Sequence, residues 1–195
     1  MWQVIKRFFQ KKDDNVIILE GEYFMLRTFI ASDASNLAKL LYNNRAFWSI
    51  YEPLQHPNFY TTEIQRKKII ESMMLLTKRR EFSFGIFDKR TNGLIGHISL
   101  YAIKKLPYAS AFIGYSLDQG YVGRGISTAA TKLVTDFAFQ IVQVHRIEAY
   151  VAPKNIASIR VLEKSGFQQE GLLRKLLFIN GKWEDHYLYS RLDRD

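Results

Sequence analysis

The chain has 195 residues, 47% of them hydrophobic and 24% charged, a composition that suits a globular protein and excludes a disordered one. Cysteine is absent, which excludes disulfides, thiolate metal sites and a cysteine nucleophile; 28 Lys and Arg against 19 Asp and Glu give a formal charge of +9, a field that favours anionic partners without naming one. No apolar run approaches the ~20 residues of a bilayer span, and the four histidines lack the spacing of a metal site, so a cytoplasmic protein with no metal and no integral membrane segment is expected.

Without a Pro/Gly/Ser-rich linker, this length fits one domain that buries roughly 70% of its unfolded surface. Residues 1–15 stand apart, mixing Trp2, Val4, Ile5, Phe8 and Phe9 with Lys6 and Arg7. They read as a basic amphipathic extension without the apolar core or cleavage site of a signal peptide. The expected domain is therefore 16–195. From Ile17 to Ile30, β-branched and aromatic residues predict one strand or two short ones about a turn at Glu20-Gly21-Glu22. Ser32 then reads as the N-cap of a helix to about Asn43, with Leu37, Leu40 and Leu41 on its apolar face.

Asn44 to Thr62, interrupted by Pro53 and Pro57 and crowded with Phe47, Trp48, Tyr51, Phe59 and Tyr60, is expected to be an irregular aromatic loop, the kind of segment that often carries function. A helix from Thr62 to Lys78 follows, its apolar face assigned to Ile69, Ile70, Met73, Met74 and Leu76. Three strands, Glu81 to Asp88, Leu94 to Ile103 and Ala109 to Leu117, predict an antiparallel meander with a turn at Thr91-Asn92-Gly93. Ile126, Ala129, Ala130, Leu133, Val134 and Phe137 mark the clearest helical stripe. A strand from Arg146 to Val151, a helix from Asn155 to Ser165 ended by Gly166, and a hairpin turned by Asn180-Gly181 complete the chain.

Two blocks carry candidate chemistry. In Asp118-Gln119-Gly120-Tyr121-Val122-Gly123-Arg124-Gly125-Ile126, a strand ends and a helix begins. Glycines 123 and 125 open conformations closed to other residues, so several main-chain N–H groups and the helix dipole can converge on one anion. A simple tight turn is the alternative. The block is not a Walker loop, because no Gly-Lys-Ser/Thr follows, and it lacks the third glycine of the dinucleotide fingerprint. The other block, Asn155-Ile156-Ala157-Ser158 continuing to Glu163-Lys164-Ser165-Gly166-Phe167, also reads as an N-cap, an early helical serine and a C-cap.

Together these blocks resemble the GNAT superfamily of N-acetyltransferases, and more narrowly its Rim type, the ribosomal-protein-alanine N-acetyltransferases. The glycine block is similar to the family's Arg/Gln-x-x-Gly-x-Gly/Ala segment, except that Gly120 stands at the Arg/Gln position and Gln119 falls one residue early. The block from Asn155 to Phe167 resembles its Asn-x-x-Ser and Glu-Lys-x-Gly-Phe. The likeness extends along the chain through Leu26-Arg27, Asn44-Arg45-Ala46-Phe47, Glu52-Pro53, Phe84-Gly85-Ile86-Phe87-Asp88, Ile113-Gly114-Tyr115-Ser116 and Asn180 to His186.

The resemblance implies an α/β fold with a mixed, mainly antiparallel sheet of about seven strands flanked by helices. It implies acetyl-CoA as cosubstrate. Tyr121, Val122, Gly123, Arg124, Gly125, Ile126 and Ser127 would hold its pyrophosphate, Tyr115, Ser116 and Leu117 would run beside its pantetheine, and Asn155 and Ser158 would belong to the same site. Ser158 would protonate the departing sulfur.

The strand where some Rim-type enzymes carry a glutamate base reads Leu176-Leu177-Phe178, so Glu52 is the catalytic carboxylate of choice, with a solvent-exposed loop charge as its alternative. Asp185 and Tyr187 are weaker candidates. The expected acceptor is a protein N-terminus, near the ribosome; the rivals are a small amine such as a polyamine, amino acid or aminoglycoside, and a non-catalytic acyl-CoA-binding regulator. Arg45, Lys104 and Lys105 would oppose a polycationic ligand if they bordered the acceptor cleft. The chain is expected to act as a monomer or homodimer.

Overall fold

Alternating burial and cross-strand pairing set the architecture in the computed structural model, which describes residues 16–195. The expected N-terminal extension lies outside the described residues. Eight strands, β1 (Ile18–Glu20), β2 (Phe24–Thr28), β3 (Phe82–Asp88), β4 (Leu94–Lys104), β5 (Ser110–Leu117), β6 (Arg146–Val151), β7 (Gln168–Ile179) and β8 (Lys182–Leu192), form one sheet in the order β1-β2-β3-β4-β5-β6-β8-β7. Only β5 and β6 pair in parallel; the other neighbours are antiparallel. The expected mixed, mainly antiparallel α/β sheet is therefore present, with β1 and β2 as separate strands.

Helices α1 (Ala34–Trp48), α2 (Thr62–Thr77), α3 (Ile126–Phe137) and α4 (Ile156–Lys164) complete the regular structure. One sheet face supplies Leu26, Phe84, Ile86, Ile98, Leu100 and Ile113 to the main core, where they join Ala130, Val134 and Phe137 of α3. Phe137 sets its ring edge-on to Phe82 and Phe84, at 5.1 and 5.8 Å between centroids. A second cluster joins α1 to α2 through Leu37, Leu40, Leu41, Trp48 and Ile69. No helix among the described residues is long and apolar enough to cross a membrane.

Three local expectations are corrected. Ser32 is not the helix cap: it lies in a short turn, Ala31–Asp33, and Asp33 organises the entry to α1. Its carboxylate accepts a hydrogen bond from the Ile30 N–H and takes a two-pronged pair from Arg27 at 2.7 and 2.9 Å, the geometry that best offsets burying both charges. Asn44 to Trp48 is helix rather than loop. The stripe Leu37, Leu40, Leu41 continues through Asn44 to Trp48 at helical spacing, and buried Asn44 is satisfied by hydrogen bonds to Leu40 and Asp118. On α2, Ile69 is buried, but Ile70 and Met74 face outward.

The closing hairpin forms as expected. Asn180 and Gly181 both take positive φ, 50° and 84°, as a two-residue turn between twisted strands requires. Asn180 Nδ2 donates to the Ser49 carbonyl at 2.7 Å, so the hairpin tip also holds the loop after α1.

Phe84 is fully buried at the centre of the main core. Phe84→Ala should lower unfolding free energy by about 3–5 kcal/mol through lost transfer energy and a residual cavity. Urea denaturation with an unchanged slope measures it; a loss below about 1 kcal/mol would show that the core closes around the gap.

Candidate active site

The site begins where the sheet comes apart. β5 and β6 pair only from Ser110–Phe112 to Arg146–Glu148, and beyond that β5 runs to Leu117 without a partner on its β6 side. Main-chain groups on that edge face a gap instead of a ladder. Tyr115 bridges the gap: its hydroxyl lies 2.9 Å from Ser158 Oγ and donates to the Ser158 carbonyl at 3.2 Å. Ser158 is held in turn by the Asn155 side chain, whose Oδ1 accepts from the Ser158 N–H at 3.1 Å and caps α4.

After β5 the chain turns through the glycine block into α3. Gly123 and Gly125 sit at φ of +77° and +76°, with nothing within 4 Å of the place a Cβ would occupy. Among the described residues no protein acceptor is recorded for the N–H groups of Gly123, Gly125, Ile126 and Ser127, and these are the donors a helix start leaves free. The turn is pinned from α1. Buried Asn44 donates to Asp118 Oδ2 at 2.9 Å and accepts from the Gln119 N–H at 3.0 Å, while Trp48 Nε1 donates to the Leu117 carbonyl at 3.0 Å.

Two compartments meet in the gap. The first, of about 430 Å³, is lined by Val122, Gly123, Gly125, Ile126 and Ser127, by Leu117, and by α4 with Arg160 and Lys164. The second, of about 530 Å³, lies against the other sheet face and is lined by His97, Ser99, Tyr101, Tyr150, Glu81 and His186 among others. Tyr51, Glu52, Tyr115, Ser116, Asn155 and Ser158 border both. The cationic side chains Arg160 and Lys164 with the free amides make the first compartment suited to a phosphate-bearing molecule.

Glu52 stands at the junction. The residue is exposed to the open cleft, yet protein surrounds its carboxylate closely enough that desolvation raises its pKa, while a 2.7 Å hydrogen bond from Ser116 Oγ pulls the other way. Glu52 is thus an exposed loop residue whose carboxylate is tied to β5 through Ser116. Burial also raises the Tyr115 phenol, which remains a neutral donor. His97, set edge-on to Trp48 at 5.7 Å, is held neutral by burial, with its pKa lowered to about 4.

Of the thirteen residues singled out from the sequence, eleven line this cleft: Glu52, Tyr115, Ser116, Leu117, Val122, Gly123, Gly125, Ile126, Ser127, Asn155 and Ser158. Tyr121 and Arg124 do not. Arg124 turns back onto the Tyr121 ring, 4.9 Å from its centroid, and donates to the Gly120 carbonyl. Asp185 accepts from the Lys175 N–H in the irregular part of the β7/β8 pairing, and neither Asp185 nor Tyr187 lines a compartment. Arg45, Lys104 and Lys105 are also absent from both linings. Sequence reasoning named Trp48 only within the aromatic segment and missed His97, Glu81, Arg160 and Lys164; the last two fall three and seven residues after Ala157, on the face of α4 that lines the cleft.

The folded chain holds the Glu52 proton more tightly than the unfolded chain does. Glu52 therefore contributes stability below its unfolded pKa that is lost as pH rises through the folded value. Ser116→Ala removes the opposing hydrogen bond and should move the Glu52 titration to still higher pH. Carbon NMR of the labelled carboxyl reads this directly, and an unchanged or lower midpoint would contradict the burial argument.

Comparison with known proteins agrees with this geometry. The family model described as Acetyltransferase (GNAT) domain matches residues 24–168. The probable N-acetyltransferase YjcK of Bacillus subtilis is 43% identical over 91% of this chain and 98% of its own. The ribosomal-protein-S5-alanine acetyltransferase of Vibrio fischeri superposes with a TM-score of 0.89, at 34% identity, covering 92% of this chain and 98% of that one. Mycobacterium smegmatis RimJ, solved with a CoA-disulfide, gives a TM-score of 0.84 at 27% identity over 91% and 86% of the two chains. With its split sheet, glycine turn and matched sequence, the chain belongs to the GNAT family and is an N-acetyltransferase.

Proposed function

We propose that the protein transfers an acetyl group from acetyl-CoA to the amino terminus of a protein, with N-terminal alanine of a ribosomal protein as the substrate type. The observation that carries this reading is the junction: Glu52, Ser116, Tyr115 and Ser158 stand between a compartment with free amides and cationic side chains and a second compartment open for an acceptor. The names of relatives support the acceptor class, since Escherichia coli ribosomal protein uS5-alanine N-acetyltransferase is 27% identical over 87% of this chain. A cytoplasmic setting goes with that substrate.

In this reading the N–H groups of Gly123, Gly125, Ile126 and Ser127 hold the diphosphate, and Arg160 and Lys164 supply opposite charge. Acetyl-CoA, when bound, contributes an activated acetyl thioester. The remaining chemistry belongs to the chain. An α-amine has a reference pKa of ~7.7 to 8.0, far below the ~10.4 of lysine, so a modest base suffices to keep it neutral. Glu52, held by Ser116, takes the amine proton directly or through one water. Ser158 Oγ supplies a proton to the leaving sulfur, held in place by its hydrogen-bonded neighbour Tyr115 Oη, and is reprotonated through water by the proton that Glu52 has taken up. The new C–N bond forms as C–S breaks, with one proton taken up and one delivered.

A small amine remains the second reading, and one observation favours it: among the described residues no lysine or arginine lines the second compartment. Arg45, Lys104 and Lys105, which would have opposed a polycation, lie elsewhere. Acetylation of a panel of N-terminal peptides and small amines, followed by thiol release, decides between them. A clear preference for a small amine would overturn the protein-substrate reading.

Ser158→Ala and Glu52→Gln should each lower turnover at saturating acetyl-CoA by about 10²-fold or more, the range for loss of a positioned acid or base. Glu52→Gln should also remove the lower limb of the pH–rate profile. Wild-type turnover in either variant would strike that residue from the mechanism. Gly125→Ala strains the left-handed conformation by about 1–2 kcal/mol, so the free turn should relax out of it and bind CoA more weakly in calorimetry; unaltered affinity would separate the turn from cofactor binding.

A further inference from the structure

The second compartment has a charged end that the transfer chemistry does not use. Glu81 lies just before β3, one residue beyond the paired Phe82 and Leu100. Its Oε1 accepts from Ser83 Oγ at 2.7 Å and from Ser72 Oγ of α2 at 3.0 Å, while Ser83 also meets Ser99 across the strands at 2.9 Å. The serines fix the carboxylate in place without supplying opposite charge. Among the described residues no ion pair includes Glu81, and its second oxygen is recorded with no donor.

Aromatic rings line the same cavity, Tyr101 on the strand next to Glu81. Tyr101 and Tyr150 line the same compartment, 39% and 40% exposed, and pack on either side of Phe112 at 5.9 and 4.9 Å. Rings held in place with accessible surface attract cations through their π faces. A carboxylate locked by two hydroxyls, in a cavity that two tyrosines also line and to which no described Lys or Arg contributes, selects for positive charge. This happens in a protein whose net charge is +9, so the acidity is local to the cavity.

The strands supply a ruler. His97 pairs with Ser116 at the transfer end, and Tyr101, four residues along β4 on the same face, lies about 13 Å away at ~3.4 Å per residue. We infer that the acceptor of this enzyme carries a second cationic group, held by Glu81 beside Tyr101, about 13 Å from the amine that is acetylated. In a peptide this is a lysine or arginine at the third residue: two extended residues span about 7 Å and the side chain covers the rest. In a small molecule the same chemistry is a long α,ω-diamine. The inference rests on the acetyl-transfer reading for which amine reacts, but the charged subsite is tested by binding as well.

The test compares pentapeptides beginning Ala-Ala-Lys and Ala-Ala-Gln, and diaminooctane against octylamine, on wild type, Glu81→Gln and Glu81→Asp. The amide of Glu81→Gln can still accept both serine hydroxyls, so the fold is expected to hold, and circular dichroism checks it. Wild type should prefer at least one charged probe over its neutral partner by about tenfold in kcat/KM and in calorimetric affinity with CoA present, Glu81→Gln should reduce that ratio below about threefold, and Glu81→Asp should retain most of it. Preference within the peptide pair assigns a protein acceptor; preference within the amine pair alone assigns a small polycation. Equal use of charged and neutral probes by wild type, a preference that Glu81→Gln keeps, or no binding of any charged probe overturns the inference. Charge-selective binding without acetyl transfer to any amine would instead sink the acetyl-transfer reading and leave the Glu81 assignment standing.

Discussion

Three paired residues hold β5 to β6, and their separation beyond that point is the constraint on which the site depends. A sheet that stayed zipped would have used its main-chain donors and acceptors internally and left no passage between its faces. Because β5 keeps β4 as a neighbour and β6 keeps β8, each half stays paired on its other side beyond the split. Tyr115, on β5, and Ser158, on the helix after β6, then meet across it at 2.9 Å. The bond is both a strut across the split and a connected pair of hydroxyls at its centre.

The surrounding structure holds that gap to a defined shape. Trp48 and Asn44, at the end of α1, tie down the last residue of β5 and the start of the glycine turn. Asn180, at the tip of the closing hairpin, ties down the loop that carries Glu52. Elements far apart in sequence thus set the positions of a main-chain cradle and a carboxylate. Such fixed donors cost little reorganisation when charge develops nearby. Charge is divided by the same split: Arg160 and Lys164 face one compartment, Glu81 the other, and Glu52 the boundary.

Much of this was legible in the residues. The glycine pair before an apolar stripe, the Asn155 cap, the Asn180-Gly181 turn and the alternation of the meander are local signals that act within a few residues, and each appears where expected. Reading failed where a polar residue sits inside a buried stripe. Asn44 resembled the end of a helix because its partner, Asp118, lies 74 positions away. Ser32 resembled a cap because the Arg27–Asp33 pair that displaces it is a matter of side-chain geometry. Tyr121 and Arg124 belong to the glycine block, but Arg124 stacks on the Tyr121 ring and neither lines the cleft.

The sequence by itself determined the elements, the anion-ready turn and the kinship with N-acetyltransferases, because propensity, capping and glycine conformation are properties of short stretches of chain. Only the tertiary structure decided that Glu52 meets Ser116, that Tyr115 meets Ser158, and that Glu81 shares a cavity with Tyr101 and Tyr150. These meetings depend on strand register and on where two parallel strands part. Register is set by the whole sheet closing over its core, and no local pattern records it.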